Sequence, residues 1–179
     1  VNEVPVVFAN SYEALVRVLG NRLDASVYEK LLNLGVDVRR LNPAYPYDLW
    51  VRSLEVAMEV LWPGKTKDQQ AHSMGRAIFE SYGQTVMGKA LLRVIQVLGP
   101  KRALARMARN LRTTNNYSQT ELRELGENEY ELWVNRVAFP NYFVGVLEAG
   151  LGFAGATDLR VELVSYELEA GAVFRLSWR

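Results

Sequence analysis

The sequence predicts an α+β protein, an N-terminal helical bundle followed by a β-β-α-β-β unit that forms a small antiparallel sheet. Two observations carry this. Up to Leu111 the apolar residues recur at helical spacing, and from Asn116 onward they alternate. The alternating stretches also come in pairs, each joined by turn-forming residues: Gly126, Glu127 and Asn128 in the first, Glu169, Ala170 and Gly171 in the second. With 179 residues the chain suits one domain, 1–179, built on one sizeable core.

Val4 to Phe8 is a β-branched run interrupted by Pro5, which reads as an edge strand. Asn10 or Ser11 then caps a short helix that ends at Gly20. Asp24 or Ser26 opens a second, with Val27, Leu31 and Leu34 on one face and Gly35 as its stop. LNPAYPY holds Pro43 and Pro46 and reads as a loop. From Tyr47 to Trp62, Leu49, Trp50, Leu54, Ala57, Met58 and Leu61 recur at helical spacing, so this helix belongs near the centre of the core. Pro63-Gly64 ends it. Thr66 caps the next helix, which runs to about Tyr82. Another spans about Gln84 to Leu98, and Gly99-Pro100 breaks it. Pro100 opens one more, to about Leu111, because its missing N–H costs nothing in a first helical turn. Strands follow over Asn116–Leu125 and Tyr130–Ala138. Pro140 and Asn141 begin a Gly-rich helix through Ala154, whose Gly145, Gly150, Gly152 and Gly155 read as close-packing positions. LRVELVSYEL and AVFRLSW are the last two strands.

Composition removes several functions. Lys plus Arg total 21 and Asp plus Glu 20, a net charge of +1, so nucleic acid is not the expected partner. The chain has no Cys, which removes disulfides, thiolate metal sites and Cys nucleophiles. No run reaches the roughly 18 apolar residues of a membrane-spanning helix. VNEVPVVFAN has no basic region followed by a long apolar one, so no signal peptide is expected and a cytoplasmic location is.

The chemistry-bearing features are few. At about 100° per residue, Arg102, Arg106 and Arg109 share one narrow stripe, with Leu104, Met107, Ala108 and Leu111 opposite. Such a stripe can hold a carboxylate, a phosphate or an acidic partner. The plainer reading is a solvated face, neutralised by Glu121, Glu124 and Glu127. NLRTTNNYS, at 110–118, follows directly. Its Asn and Thr side chains suit a helix-to-strand corner, since they readily bond nearby backbone. As a site, it would place Arg112, Asn115 and Tyr117 at the rim of a pocket beside the stripe. His72 is the only His, at the margin of an apolar helix face. One His can ligate a heme iron but cannot build a zinc site without further ligands. There is no GxSxG, GxxxxGK[ST] or GxGxxG, and no constellation asks to be an enzyme. The aromatic residues are spread over most elements and read mainly as core. The same residues would line an apolar ligand cavity between helices and sheet.

FESYGQTVMGKALL, LGPKRALARMARNLRTTNNY and ELWVNRVAFPNYFVGVLEAGL resemble a large paralogous family of uncharacterised myxobacterial proteins, a domain of unknown function. The resemblance covers nearly the whole chain and implies no activity. The order of elements is also similar to heme-nitric-oxide-binding domains, 4-vinyl-reductase-type sensing domains and transport-protein-particle subunits. That likeness implies a heme, an aromatic molecule or an acyl chain held inside, or a dimerising scaffold. Two departures argue against heme bound in the usual way. The helix over 100–111 has no His, and the Tyr-x-Ser-x-Arg propionate motif is absent near Trp133 to Phe143.

The expectation is therefore a non-enzymatic sensory or binding module. It would hold a hydrophobic small molecule with an acidic end, served by Arg102, Arg106, Arg109, Arg112, Asn115 and Tyr117. The second reading is an interaction domain, a homodimer or another protein's partner, with no ligand. The residues specify no cofactor.

Overall fold

The computed structural model describes residues 4–84 and 86–179, with the side chains at 86–88 and 91 set aside. The first residues of the expected N-terminal segment and the expected start of the helix near Thr85 lie outside them.

Local sequence accounts for most of the helical half. α1 (Ala9–Leu19) ends at Gly20, whose φ of 50° favours a residue without a Cβ. Its N-cap is Phe8, with no side-chain bond, and not Asn10 or Ser11. These two lie inside the helix, because the chain enters it directly from a strand. α2 (Ala25–Leu34) is capped by Asp24, whose Oδ1 accepts from the Val27 N–H at 2.9 Å, and closes at a left-handed Gly35. α3 (Tyr47–Leu61) buries Trp50, Leu54, Ala57 and Met58 as its periodicity predicts. α4 (Lys67–Tyr82) starts with a capping box. Thr66 Oγ1 accepts from Gln69 N at 3.3 Å, and Gln69 Oε1 accepts from Thr66 N at 3.1 Å. α5 (Val86–Asn110) is broken at Gly99, where φ 74° and ψ 170° leave the helical region, and Pro100 begins its second segment. Among the described residues no helix is long and apolar enough to cross a membrane.

The segment expected as a loop, LNPAYPY, contains a strand. β1 (Val6–Phe8) pairs antiparallel with β2 (Ala44–Pro46), Val7 opposite Tyr45. Three residues carry too little alternation to be read alone, and the strand exists because β1 supplies its partner. β3 (Thr120–Gly126) and β4 (Glu129–Val134) form the expected hairpin, with Asn128 at φ 56° in the turn. Both strands are shorter than the alternation suggested, because 116–118 belong to the corner and 135–138 leave the sheet. α6 (Pro140–Phe153) has Pro in its first turn. β5 (Arg160–Glu167) and β6 (Gly171–Ser177) complete an antiparallel sheet in the order β3-β4-β6-β5.

Two cores result. Tyr12, Leu15, Leu31, Met58 and Met74 centre the helical one, and Leu104, Leu132, Leu147, Phe174 and Leu176 centre the one between α5, α6 and the sheet. Each such side chain contributes about 1.5–3 kcal/mol on burial. The cores are joined where α4 crosses α6. A Cβ on Gly75 would collide with the Tyr142 carbonyl oxygen, and one on Gly145 with that of His72. Gly145 is thus the close-packing position expected of it, and Gly150 lies against the Met107 thioether, 2.6 Å from its Sδ to a notional Cβ. Gly152 and Gly155 are not. Neither has a neighbour within 4 Å, and Gly155 serves the turn after α6 with φ 93°.

Candidate functional site

Between the two cores lies a cavity of about 250 Å³. Tyr47, Trp50 and Leu54 line it from α3, Phe79 from α4, Met107 from α5, and Tyr142 and Val146 from α6. Its volume falls just below the range of about 300–1,000 Å³ usual for drug-sized ligands, so it suits a smaller molecule.

The corner 110–118 forms the polar part of the wall, with Asn115, Tyr117 and Ser118 all lining it. Asn115 is buried and uses its whole amide. Its Oδ1 accepts from Tyr117 N at 3.1 Å and Ser118 N at 2.8 Å, and its Nδ2 donates to Leu111 O at 3.1 Å. Asn116 ties the corner to the N-terminal ribbon. Val6 N donates to its Oδ1 at 2.8 Å, and its Nδ2 donates to Val4 O at 3.1 Å. Asn135, just past β4, holds the other flank. Its Nδ2 donates to Tyr117 O at 3.0 Å, and Gln119 N donates to its Oδ1 at 2.8 Å. The corner is therefore both the turn and the pocket wall. Asn115→Ala is expected to cost roughly 3 kcal/mol, since two backbone N–H groups lose their acceptor, whereas Asn115→Asp keeps that acceptor and loses less. Urea unfolding of both variants checks the order.

Three phenols gather at this wall. The Tyr47 and Tyr117 rings meet edge to face with centroids 5.0 Å apart. Burial pushes Tyr47 up to about 12, and raises Tyr117 and Tyr142 as well, so all three stay protonated donors at neutral pH. The Arg136 guanidinium, 5.5 Å from the Tyr47 ring centroid, works against that rise at Tyr47 and Tyr117. Among the described residues Arg136 is the one charged group lining the cavity, and no carboxylate pairs with it. Sequence reading passed over Arg136. It is a cation in a short connection, with no periodicity to mark it, and only the fold brings it beside Tyr47.

The arginine stripe lies elsewhere. Arg102, Arg109 and Arg112 are exposed and Arg106 is half-buried, and none of the four lines the cavity. Leu104 and Ala108 are buried on the opposite side, as the helical spacing requires. The expected neutralisation by Glu121, Glu124 and Glu127 is not found among the described residues. Glu124 instead pairs with Lys101 at 2.8 Å, and Arg109 Nε donates to its own helix at Ala105 O, 3.2 Å away.

His72 does not line the cavity either. Its Nε2 sits 2.7 Å from Glu148 Oε2, with Arg76 3.4 Å from the same oxygen, at a half-exposed α4–α6 contact. The residues therefore do not fit a heme iron held axially. Among the described residues no imidazole and no carboxylate lines the cavity, and burial keeps the Tyr117 and Tyr142 phenols protonated. No group of three or more His, Asp or Glu able to hold a metal occurs among the described residues.

A family model described as Protein of unknown function (DUF2378) matches residues 5–179. Curated proteins provide no match. Solved structures do. The chain is similar to the Fe(II) unliganded H-NOX protein from K. algicida, at 10% identity over 96% of each chain, with a TM-score of 0.67. It is also similar to an oxygen-binding H-NOX domain related to soluble guanylate cyclases, at 16% identity over 96% of this chain and 92% of that one, TM-score 0.60. A third is a mutant of the T. tengcongensis H-NOX, at 15% identity over 96% of this chain and 94% of that one, TM-score 0.59. At these identities the likeness is one of fold.

Proposed function

We propose a function for this chain, which belongs to the DUF2378 family of proteins of unknown function: it is a non-enzymatic sensory module that holds a small hydrophobic molecule with an acidic end. The observation that carries this reading is the Arg136 guanidinium, without a carboxylate partner among the described residues, at the wall of a mainly apolar cavity, beside the phenols of Tyr47 and Tyr117. An apolar body gains by leaving water for walls such as Trp50, Leu54 and Phe79. A carboxylate on that body would accept charge-assisted hydrogen bonds from the guanidinium, and the protonated phenols are further donors. The acidic-end role thereby passes from the stripe Arg102, Arg106, Arg109 and Arg112 to Arg136, while Asn115 and Tyr117 keep their place at the rim. Two of the similar structures are an Fe(II) protein and an oxygen complex. They support a small molecule enclosed by this fold, not its identity. The non-enzymatic part rests on the lining, where neither His nor a carboxylate is at hand as a general base.

Native mass spectrometry of the protein from its own host tests the reading. The expected result is extra mass that leaves on denaturation and ionises as an acid. A native mass equal to bare chains overturns it. The second reading, an interaction domain, is favoured by a different observation, the exposed edge of the sheet.

A further inference from the structure

Among the described residues the sheet order β3-β4-β6-β5 leaves each outer strand unpaired on one side. The two edges differ. On β3 Arg123 pairs with Glu131 and Glu124 with Lys101, and Glu121 is the one charge without an ion-pair partner among the described residues. On β5 none of Arg160, Glu162 and Glu167 has an ion-pair partner among the described residues, and Leu163 and Val164 are 38% and 48% exposed. A long edge with Leu163 and Val164 at its middle, a free cation at its start and a free carboxylate at its end is a template for another strand, and in the pairing below Glu162 falls opposite Ser165.

We infer that β5 pairs antiparallel with β5 of a second copy of this chain, forming a two-fold dimer with a continuous sheet. The charges choose that occupant. Arg160 opens the strand and Glu167 closes it. A two-fold axis between Leu163 and Val164 sets each Arg160 against Glu167 of the other copy, twice per dimer, with Leu163 and Val164 meeting at the axis. The irregularity between Leu163 and Ser165 makes this register workable. Arg160 lies opposite Ser177 and Glu167 opposite Gly171, on one face, while Leu163 and Tyr166 lie opposite the buried Phe174 and Ala172 on the other. Without the extra residue, the two charges would fall on opposite faces and could not meet. A partner of one charge sign would satisfy only one end of the strand. The inference is independent of the ligand reading, since β5 contributes nothing to the cavity wall.

Sedimentation velocity of the full chain tests it, up to millimolar concentration. The expected result is a concentration-dependent shift to the mass of two chains. Arg160→Glu or Glu167→Arg alone should weaken the dimer about tenfold, because symmetry counts each change twice, and the double reversal R160E/E167R should restore it. Both side chains are exposed, so circular dichroism should show all three variants folded. A monomer at every concentration overturns the inference, as does a dimer that single reversals leave intact or that the double reversal fails to restore.

Discussion

Replacing Gly145 with Ala is expected to destabilise the protein by about 3 kcal/mol or more, with Gly75→Ala close behind. At most glycines a methyl group meets a side chain that can turn aside. Here it meets backbone on the facing helix: the His72 carbonyl for Gly145 and the Tyr142 carbonyl for Gly75. Backbone in a packed helix cannot rotate away, so α4 and α6 must separate. That separation opens the contact joining the two cores and moves Tyr142, a wall of the cavity. Gly152→Ala is the internal control. It lies in the same helix with nothing within 4 Å, so the added methyl should be neutral or stabilise by about 0.5–1 kcal/mol through lower unfolded-state entropy. Urea midpoints of the three variants decide. Equal losses at Gly145 and Gly152 would mean that glycine acts through helix propensity and not through the crossing.

Arg136→Met is expected to weaken binding of a carboxylic acid by about 10- to 100-fold while leaving its neutral alcohol analogue unchanged. The range follows from the roughly 1.5–3 kcal/mol of a hydrogen bond to a charged group, at about 1.4 kcal/mol per tenfold. Met keeps an unbranched stem against Tyr47 and removes the charge, so the apolar wall survives. Octanoic and cinnamic acids with their alcohols are suitable probes, followed through the fluorescence of Trp50, which lines the cavity. Equal losses for acid and alcohol would show that Arg136 only props the pocket open. Unchanged affinity for both would remove it from the site.

Much of this architecture was written locally. The spacing of Leu49, Trp50, Leu54, Ala57 and Met58 makes α3 a core helix, and its burial follows. Asp24, Thr66 and Gly99-Pro100 act within a few residues of themselves, as an N-cap, a capping box and a helix break. The β3–β4 hairpin needed only its alternation and Asn128 in the turn. β2 was illegible for the opposite reason. Ala44–Pro46 is a strand because Val6–Phe8 lies beside it, and no property of three residues records a partner 38 positions away, as between Val7 and Tyr45.

The site divides along the same line. Asn115 and Tyr117 were legible because a helix-to-strand corner rich in Asn and Thr must bond its own backbone, and this corner does so at the cavity wall. The arginine stripe was legible as a stripe, but its distance from the cavity was not, since the same spacing serves a solvated face as well as a pocket. Gly152 and Gly155 looked like Gly145, and only the position of α4 separates them. Arg136 carries no local mark at all. The sequence by itself determined which segments become the helices and the strands of the larger sheet, and where α2, α4 and the break in α5 fall, because caps, breaks and alternation act over a turn or a hairpin. Tertiary structure alone decided which cation faces the cavity and which glycine is a contact, because both depend on elements far apart in the chain arriving at one place.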